Sequence, residues 1–222
     1  MEAAVAQRDA LPRMHFLRLD PIKSATVVRD PYPYLVARGV LPPDTMDAIN
    51  RDFPDIPKAG FFPLTTMGRH RAFDLLLKDL ESPALADVLS EKFGVDIREK
   101  PQIITVRKWS AAKDGRIHVD GTAKVVNSLL YLNPTWSVQD SGGRFRVLRS
   151  DKSFDDMAAE VSPEFGTFLA FVRTDNSWHG HPPFVGERRV IQASWLRSLE
   201  DSKRKERRGR LSLLFKKLLG QA

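Results

Sequence analysis

The spacing of apolar residues changes once along the chain, close to Pro101. Before that point the repeat is helical. Pro42-Pro43-Asp44 opens a helix with Met46, Ile49 and Phe53 on one stripe, and Pro54 stops it. Leu75, Leu76, Leu77 and Leu80 form a second helical segment. Ser82-Pro83 reads as an N-cap followed by proline at the first helical position. Leu85, Val88, Leu89 and Phe93 give that third helix its buried face, and Gly94 ends it as a left-handed cap. Residues 30–36 (Asp-Pro-Tyr-Pro-Tyr-Leu-Val) predict a proline-punctuated edge strand. The first thirty residues carry no sustained period and read as an extension over the body.

After Pro101 the period becomes two. Short β-rich runs at 102–109, 116–120, 125–132, 143–148, 167–172 and 189–196 are separated by turn signals such as Lys113-Asp114-Gly115, Asn133-Pro134 and Ser141-Gly142-Gly143. Helices followed by six short strands predict an α+β chain with a jelly roll backed by N-terminal helices. The expected organisation is one domain over 1–222, with an extension at 1–30, a mainly helical support at 31–100, a β-rich core at 101–196 and a tail at 197–222.

With 222 residues, 42% of them apolar, the chain can bury a substantial core. It has no cysteine, which excludes disulfides, thiolate metal sites and a cysteine nucleophile. No run approaches a membrane span and no signal sequence is evident, so the cytoplasm is the expected compartment. The net charge of +7 changes the picture less than it first suggests, because nine basic and three acidic residues after Leu196 account for nearly all of it. No nucleic-acid contact is therefore expected of the body. In the tail, Leu211, Leu214, Phe215 and Leu218 recur at helical spacing beside a basic run. That pattern predicts a basic amphipathic helix, which packs on its own domain or contacts an anionic membrane surface or a protein partner.

Without thiols, histidine and carboxylate carry any transition-metal chemistry. On an extended strand His118 and Asp120, two residues apart, project to one face. A second histidine from a neighbouring strand would complete two imidazoles and one carboxylate on one side of an ion, an arrangement suited to non-haem Fe(II). His179 and His181 compete for that place.

His118-Val119-Asp120, Tyr131-Leu132-Asn133, Gly142-Gly143-Arg144-Phe145, His179 and Arg189 follow in an order and spacing that resembles the Fe(II)/2-oxoglutarate-dependent dioxygenases, prolyl-hydroxylase-like branch. The resemblance spans residues 102–196 and implies a double-stranded β-helix core, Fe(II) as metal, and 2-oxoglutarate and O2 as cosubstrates. It implies hydroxylation of a substrate that the sequence does not name, whether a small molecule, a saccharide or a peptidyl residue, with release of succinate and CO2. By the family pattern His179, with proline four residues on, is the second metal histidine. His181 is then a neighbour of the site or a surface residue. For the cosubstrate carboxylate, Arg188 and Arg189 are both available. Arg189 shares parity with Ile191, Ala193 and Trp195, the set that reads as interior, and is the expected anchor. Tyr131 sits where relatives place a tyrosine hydroxyl on the same carboxylate, and Asn127 shares its parity. Residues 136–141 and 149–162 are expected lids at the mouth. The rival class is a non-catalytic binding module of the same fold, docked through its basic tail.

Overall fold

The structure is a computed structural model that describes residues 15–64, 71–137 and 142–201. The basic tail beyond 201, and with it the expected amphipathic helix, lies outside the described residues, as do His70 and most of the first expected lid. Among the described residues of the first hundred lie four α-helices, α1 (Asp20–Ser24), α2 (Met46–Arg51), α3 (Arg71–Leu80) and α4 (Pro83–Phe93), with a 3-10 turn at Pro43–Thr45 ahead of α2. The strands are β1 (Tyr34–Ala37), β2 (Phe62–Pro63), β3 (Gln102–Ser110), β4 (Lys124–Tyr131), β5 (Phe145–Leu148), β6 (Met157–Val161), β7 (Phe168–Val172), β8 (His179–Gly180) and β9 (Gly186–Leu196). This is a mixed α/β chain built on antiparallel sheets.

Local chemistry accounts for the helix ends. The Ser82 hydroxyl accepts from the Leu85 amide, Pro83 starts α4, and Gly94 closes it at φ 67°. The pattern at 30–36 yields a strand at the sheet margin, β1, which lies beside β7 in the order β1-β7-β4-β9-β3-β2 and forms an isolated bridge from Tyr34 to Val28. A second sheet has the order β6-β5-β8.

Strands β4 and β9 of the larger sheet pack on both faces. Val126 and Leu130 of β4, and Ile191, Ala193 and Trp195 of β9, join the large core shared with the helices. Leu129, Tyr131 and Val190 face the other way and pack with Phe145, Val147 and Val161 of the smaller sheet. The cleft between the sheets is where polar side chains collect.

Three stretches depart from the expectations, the first being residues 116–120, which form no strand beyond one isolated bridge at His118. Residues 157–161, inside the second expected lid, form edge strand β6, paired with β5 from Phe145↔Val161 to Leu148↔Met157. Met-Ala-Ala-Glu-Val has only one β-branched residue, so neither period nor composition marks it as a strand. Phe16, Leu17 and Ile22, within the expected N-terminal extension, enter the main core. Asp79 of α3 holds that segment, accepting from the amides of Phe16 at 2.6 Å and Leu17 at 2.9 Å and meeting Nδ1 of His15 at 2.6 Å. Asp79→Ala leaves two buried amides without acceptors, and is expected to lower the unfolding free energy in urea titrations by about 2–4 kcal/mol. A loss below about 1 kcal/mol would show that the segment is held by its apolar contacts alone.

Candidate metal centre

The site is assembled where the smaller sheet meets the segment before β4. His118 forms an isolated antiparallel bridge with His179 rather than part of a longer strand. The His118 amide donates to the His179 carbonyl and the His179 amide returns the bond, each at 3.0 Å. The two rings lie 4.4 Å apart between centroids. Such close approach needs Gly180. A Cβ there would stand 2.5 Å from the Gly115 carbonyl oxygen and 2.9 Å from that of Arg116.

His118, Asp120 and His179 bring one ligand atom each to within 4.8 Å of one another. His179 Nε2 lies 3.7 Å from Asp120 Oδ2. Nδ1 of His118 lies 2.8 Å from the Arg116 carbonyl and Nδ1 of His179 lies 2.8 Å from that of Ser177. A carbonyl can only accept, so both Nδ1 atoms carry the proton and both Nε2 lone pairs are left for a metal. Burial pushes the His179 imidazole down to about 4, with Asp120 opposing, so the ring is neutral at pH 7.

Asp120 is gripped from behind. Lys124 Nζ donates to Oδ1 at 2.6 Å, while the Asn127 amide donates to Oδ2 and in turn accepts from the Ser194 hydroxyl. Burial alone would raise the Asp120 pKa. Lys124 and His179 outweigh that and hold it below the usual carboxylate range. Asn127 is fully buried and orients the carboxylate; it is not among the residues lining the cavity. Two imidazoles held through Nδ1 and a fixed carboxylate, with protein hydrogen bonds on their far sides, fit a divalent iron ion.

The triad opens onto a cavity of about 210 Å³ whose wall also includes Phe61, Arg107, His181, Arg188 and Gln192. Here the placement of one expected residue is reversed. Arg188 is 3% exposed, lines the cavity, donates to the Gly143 carbonyl at 2.7 Å and reaches the Tyr131 hydroxyl at 3.4 Å. Arg189 points away from it, bound to Glu187 at 2.6 Å and to the Asn50 carbonyl at 3.2 Å, over the Phe53 ring. The alternation along β9 is as expected. The error lies in taking the apolar face for the site face, because the apolar face packs on the helices and the polar one faces the cleft.

Tyr131 is fully buried behind Arg188; burial raises its hydroxyl pKa, with Arg188 opposing. His181 is in the cavity wall and not at the surface, and burial followed by the Arg188 charge pushes its imidazole down to about 3. Arg107, on β3, is a residue that the sequence reading passed over. A lone arginine inside a strand gives no periodic signal.

Residues 106–197 match the family model for the 2OG-Fe(II) oxygenase superfamily. This segment is a 2OG-Fe(II) oxygenase domain. The domain is that of a 2-oxoglutarate-dependent dioxygenase, whose cofactor is Fe(II) and whose cosubstrates are 2-oxoglutarate and O2. A prolyl 4-hydroxylase from Pseudomonas putida is similar in structure at TM-score 0.53 and 18% identity, over 74% of this chain and 86% of that one. An oxidoreductase of the 2OG-Fe(II) oxygenase family from Burkholderia pseudomallei gives TM-score 0.51 and 11% identity, over 74% and 84%. The viral collagen prolyl hydroxylase of Paramecium Bursaria Chlorella virus-1 gives 0.50 and 16%, over 78% and 99%. At these identities the likeness is one of fold. No curated protein matches the sequence. Among the described residues no helix is long and apolar enough to cross a membrane.

The geometry of the candidate metal site depends on the contact at Gly180. Gly180→Ala is expected to push residues 115–118 off β8 and weaken Mn(II) binding, read by calorimetry, by roughly tenfold or more. Unchanged affinity would mean that the His118–His179 bridge is dispensable.

Proposed function

We propose that this chain is a hydroxylase, converting a substrate C–H bond to C–OH while 2-oxoglutarate and O2 become succinate and CO2. The observation that carries this reading is the convergence of His118, Asp120, His179 and the Arg188 guanidinium on one cavity. Such a cavity has a place for the metal and a cation for the far carboxylate of the cosubstrate. The two facing antiparallel sheets we read as the walls of a double-stranded β-helix.

In this reading His118, Asp120 and His179 hold Fe(II), which when bound supplies the activation of O2 coupled to oxidative decarboxylation of 2-oxoglutarate. Three protein ligands on one side would leave the cavity side of such a metal open to cosubstrate and dioxygen. Arg188 meets the distal carboxylate with its planar fork, and the Gly143 carbonyl with the Tyr131 hydroxyl keeps that fork aimed. Tyr131 thus acts through Arg188 as a positioning residue. Arg188 has no carboxylate among its described hydrogen-bond partners, and a buried guanidinium in that state favours an anionic ligand. Lys124 and Asn127 keep Asp120 ionised and fixed, so no proton need leave the carboxylate when the metal binds.

Anaerobic addition of Fe(II) and 2-oxoglutarate should produce a weak visible charge-transfer band that His179→Ala abolishes. Arg188→Ala should weaken 2-oxoglutarate binding by roughly thirtyfold or more, and Arg189→Ala should leave it nearly unchanged. Absence of the band in the unaltered protein, with no metal uptake, would favour the non-catalytic binding module. Greater dependence on Arg189 would contradict the assignment of the anchor.

A further inference from the structure

Two side chains that line the cavity each carry a buried polar atom with no hydrogen-bond partner among the described residues, Nε of Arg107 and Nε2 of His181. Both side chains line the cavity and both residues are more than nine-tenths buried, at 7% and 4% exposure. The hydroxylase reading uses neither. Buried polar groups are nearly always satisfied, so two orphans at one site indicate a ligand that satisfies them.

Their chemistry describes that ligand. Arg107 pairs across the sheet with Val190, which places it on the same face as Arg188, two residues along β9. Its guanidinium lies 4.2 Å over the Phe61 ring, and its ion pair with Asp114 is long, 3.6 Å. The other oxygen of Asp114 accepts from the Ala111 amide. Burial and the like charge of Arg188 push the Arg107 pKa down to about 10, which leaves it a cation at neutral pH. Arg107 therefore offers a stacked, incompletely paired fork, suited to an oxyanion. His181 offers the complement. Its Nδ1 lies 2.9 Å from the Pro182 carbonyl and so carries the ring proton, which makes Nε2 an acceptor in the neutral ring.

Charge fixes the ligand further. Fe(II), Lys124, Arg188 and Arg107 on one side, against Asp120, Asp114 and a dianionic cosubstrate on the other, leave one positive charge uncompensated. A monoanion balances it. We propose that the substrate is a carboxylate monoanion that docks on Arg107 beside Phe61 and donates an N–H or O–H to Nε2 of His181. The assignment rests on the reading above, in which Arg188 holds 2-oxoglutarate. Anchoring both ends of such a ligand fixes which of its C–H bonds is presented to the metal.

N-acetyl-amino acids carry both a carboxylate and an N–H, and their methylamides lack only the charge. The protein loaded with Mn(II) and saturating 2-oxoglutarate is titrated calorimetrically with a panel of both. At least one acid should bind, its methylamide at least about tenfold more weakly; Arg107→Gln should cost the acid at least about tenfold while 2-oxoglutarate affinity stays within about twofold. Arg107→Lys, which keeps the charge and loses the fork, should fall between. Retained 2-oxoglutarate binding by each variant reports that it is folded. Equal binding of acids and methylamides, or no binding of any acid, overturns the proposal, as does a loss of 2-oxoglutarate affinity in Arg107→Gln matching that in Arg188→Ala. Failure of the unaltered protein to bind 2-oxoglutarate removes the hydroxylase reading and this proposal together. Normal cosubstrate binding without preference for the acids removes this proposal alone.

Discussion

Two backbone hydrogen bonds, from His118 to His179 and from His179 back to His118, join segments far apart in the chain and bring two imidazoles, tilted by 53°, to 4.4 Å between centroids. The rest of the site is arranged around that contact. Gly180 permits it by bringing no Cβ against the carbonyls of Gly115 and Arg116. The proton positions on both rings follow from carbonyls two residues upstream, Arg116 and Ser177, so the same local geometry that sets the bridge also exposes both Nε2 atoms. Asp120 completes the set through a buried chain of donors, Lys124, Asn127 and Ser194, anchored on the two central strands of the larger sheet. Site and fold are therefore one construction: weakening the bridge or the donor chain disperses the ligands without touching any of them.

The second organising constraint is that β9 is buried on both faces. One face supplies apolar packing to the helices through Ile191, Ala193 and Trp195. The other supplies Arg188 and Gln192 to the cleft, where a charged side chain is stabilised by the Gly143 carbonyl and the Tyr131 ring and hydroxyl. Burying Arg188 and Arg107 near one another is costly unless anions come to meet them, which is what a site for charged small molecules requires. The same sheet that makes the core stable thus supplies the charge that the core could not tolerate elsewhere.

Much of this was legible in the sequence where the signal is local. Ser82-Pro83 and Gly94 mark the ends of α4 by capping chemistry alone, and the change of period near Pro101 separates helices from strands. The grouping of His118, Asp120 and His179 was legible because two histidines and an aspartate in a known order leave few alternatives in a chain without cysteine. What was not legible depends on tertiary context. Choosing between Arg188 and Arg189 needs knowledge of which buried face is the cleft, and hydrophobicity points to the wrong one. Asn127 reads as a pocket residue by parity, yet it spends its hydrogen bonds on Asp120 and Ser194. β6 escapes notice because an edge strand of alanines needs little intrinsic propensity, and Arg107 because a single charge in a strand is ordinarily a solvated one.

The central claim is that one cavity holds both the metal ligands and the carboxylate anchor, with the polar face of β9 forming its wall. A crystal structure of the chain with Mn(II) and 2-oxoglutarate tests it most directly. The account predicts the ion bound to His118, Asp120 and His179, with the distal carboxylate of the cosubstrate in hydrogen-bond contact with Arg188. An ion coordinated elsewhere, or a carboxylate bound away from Arg188, would contradict it.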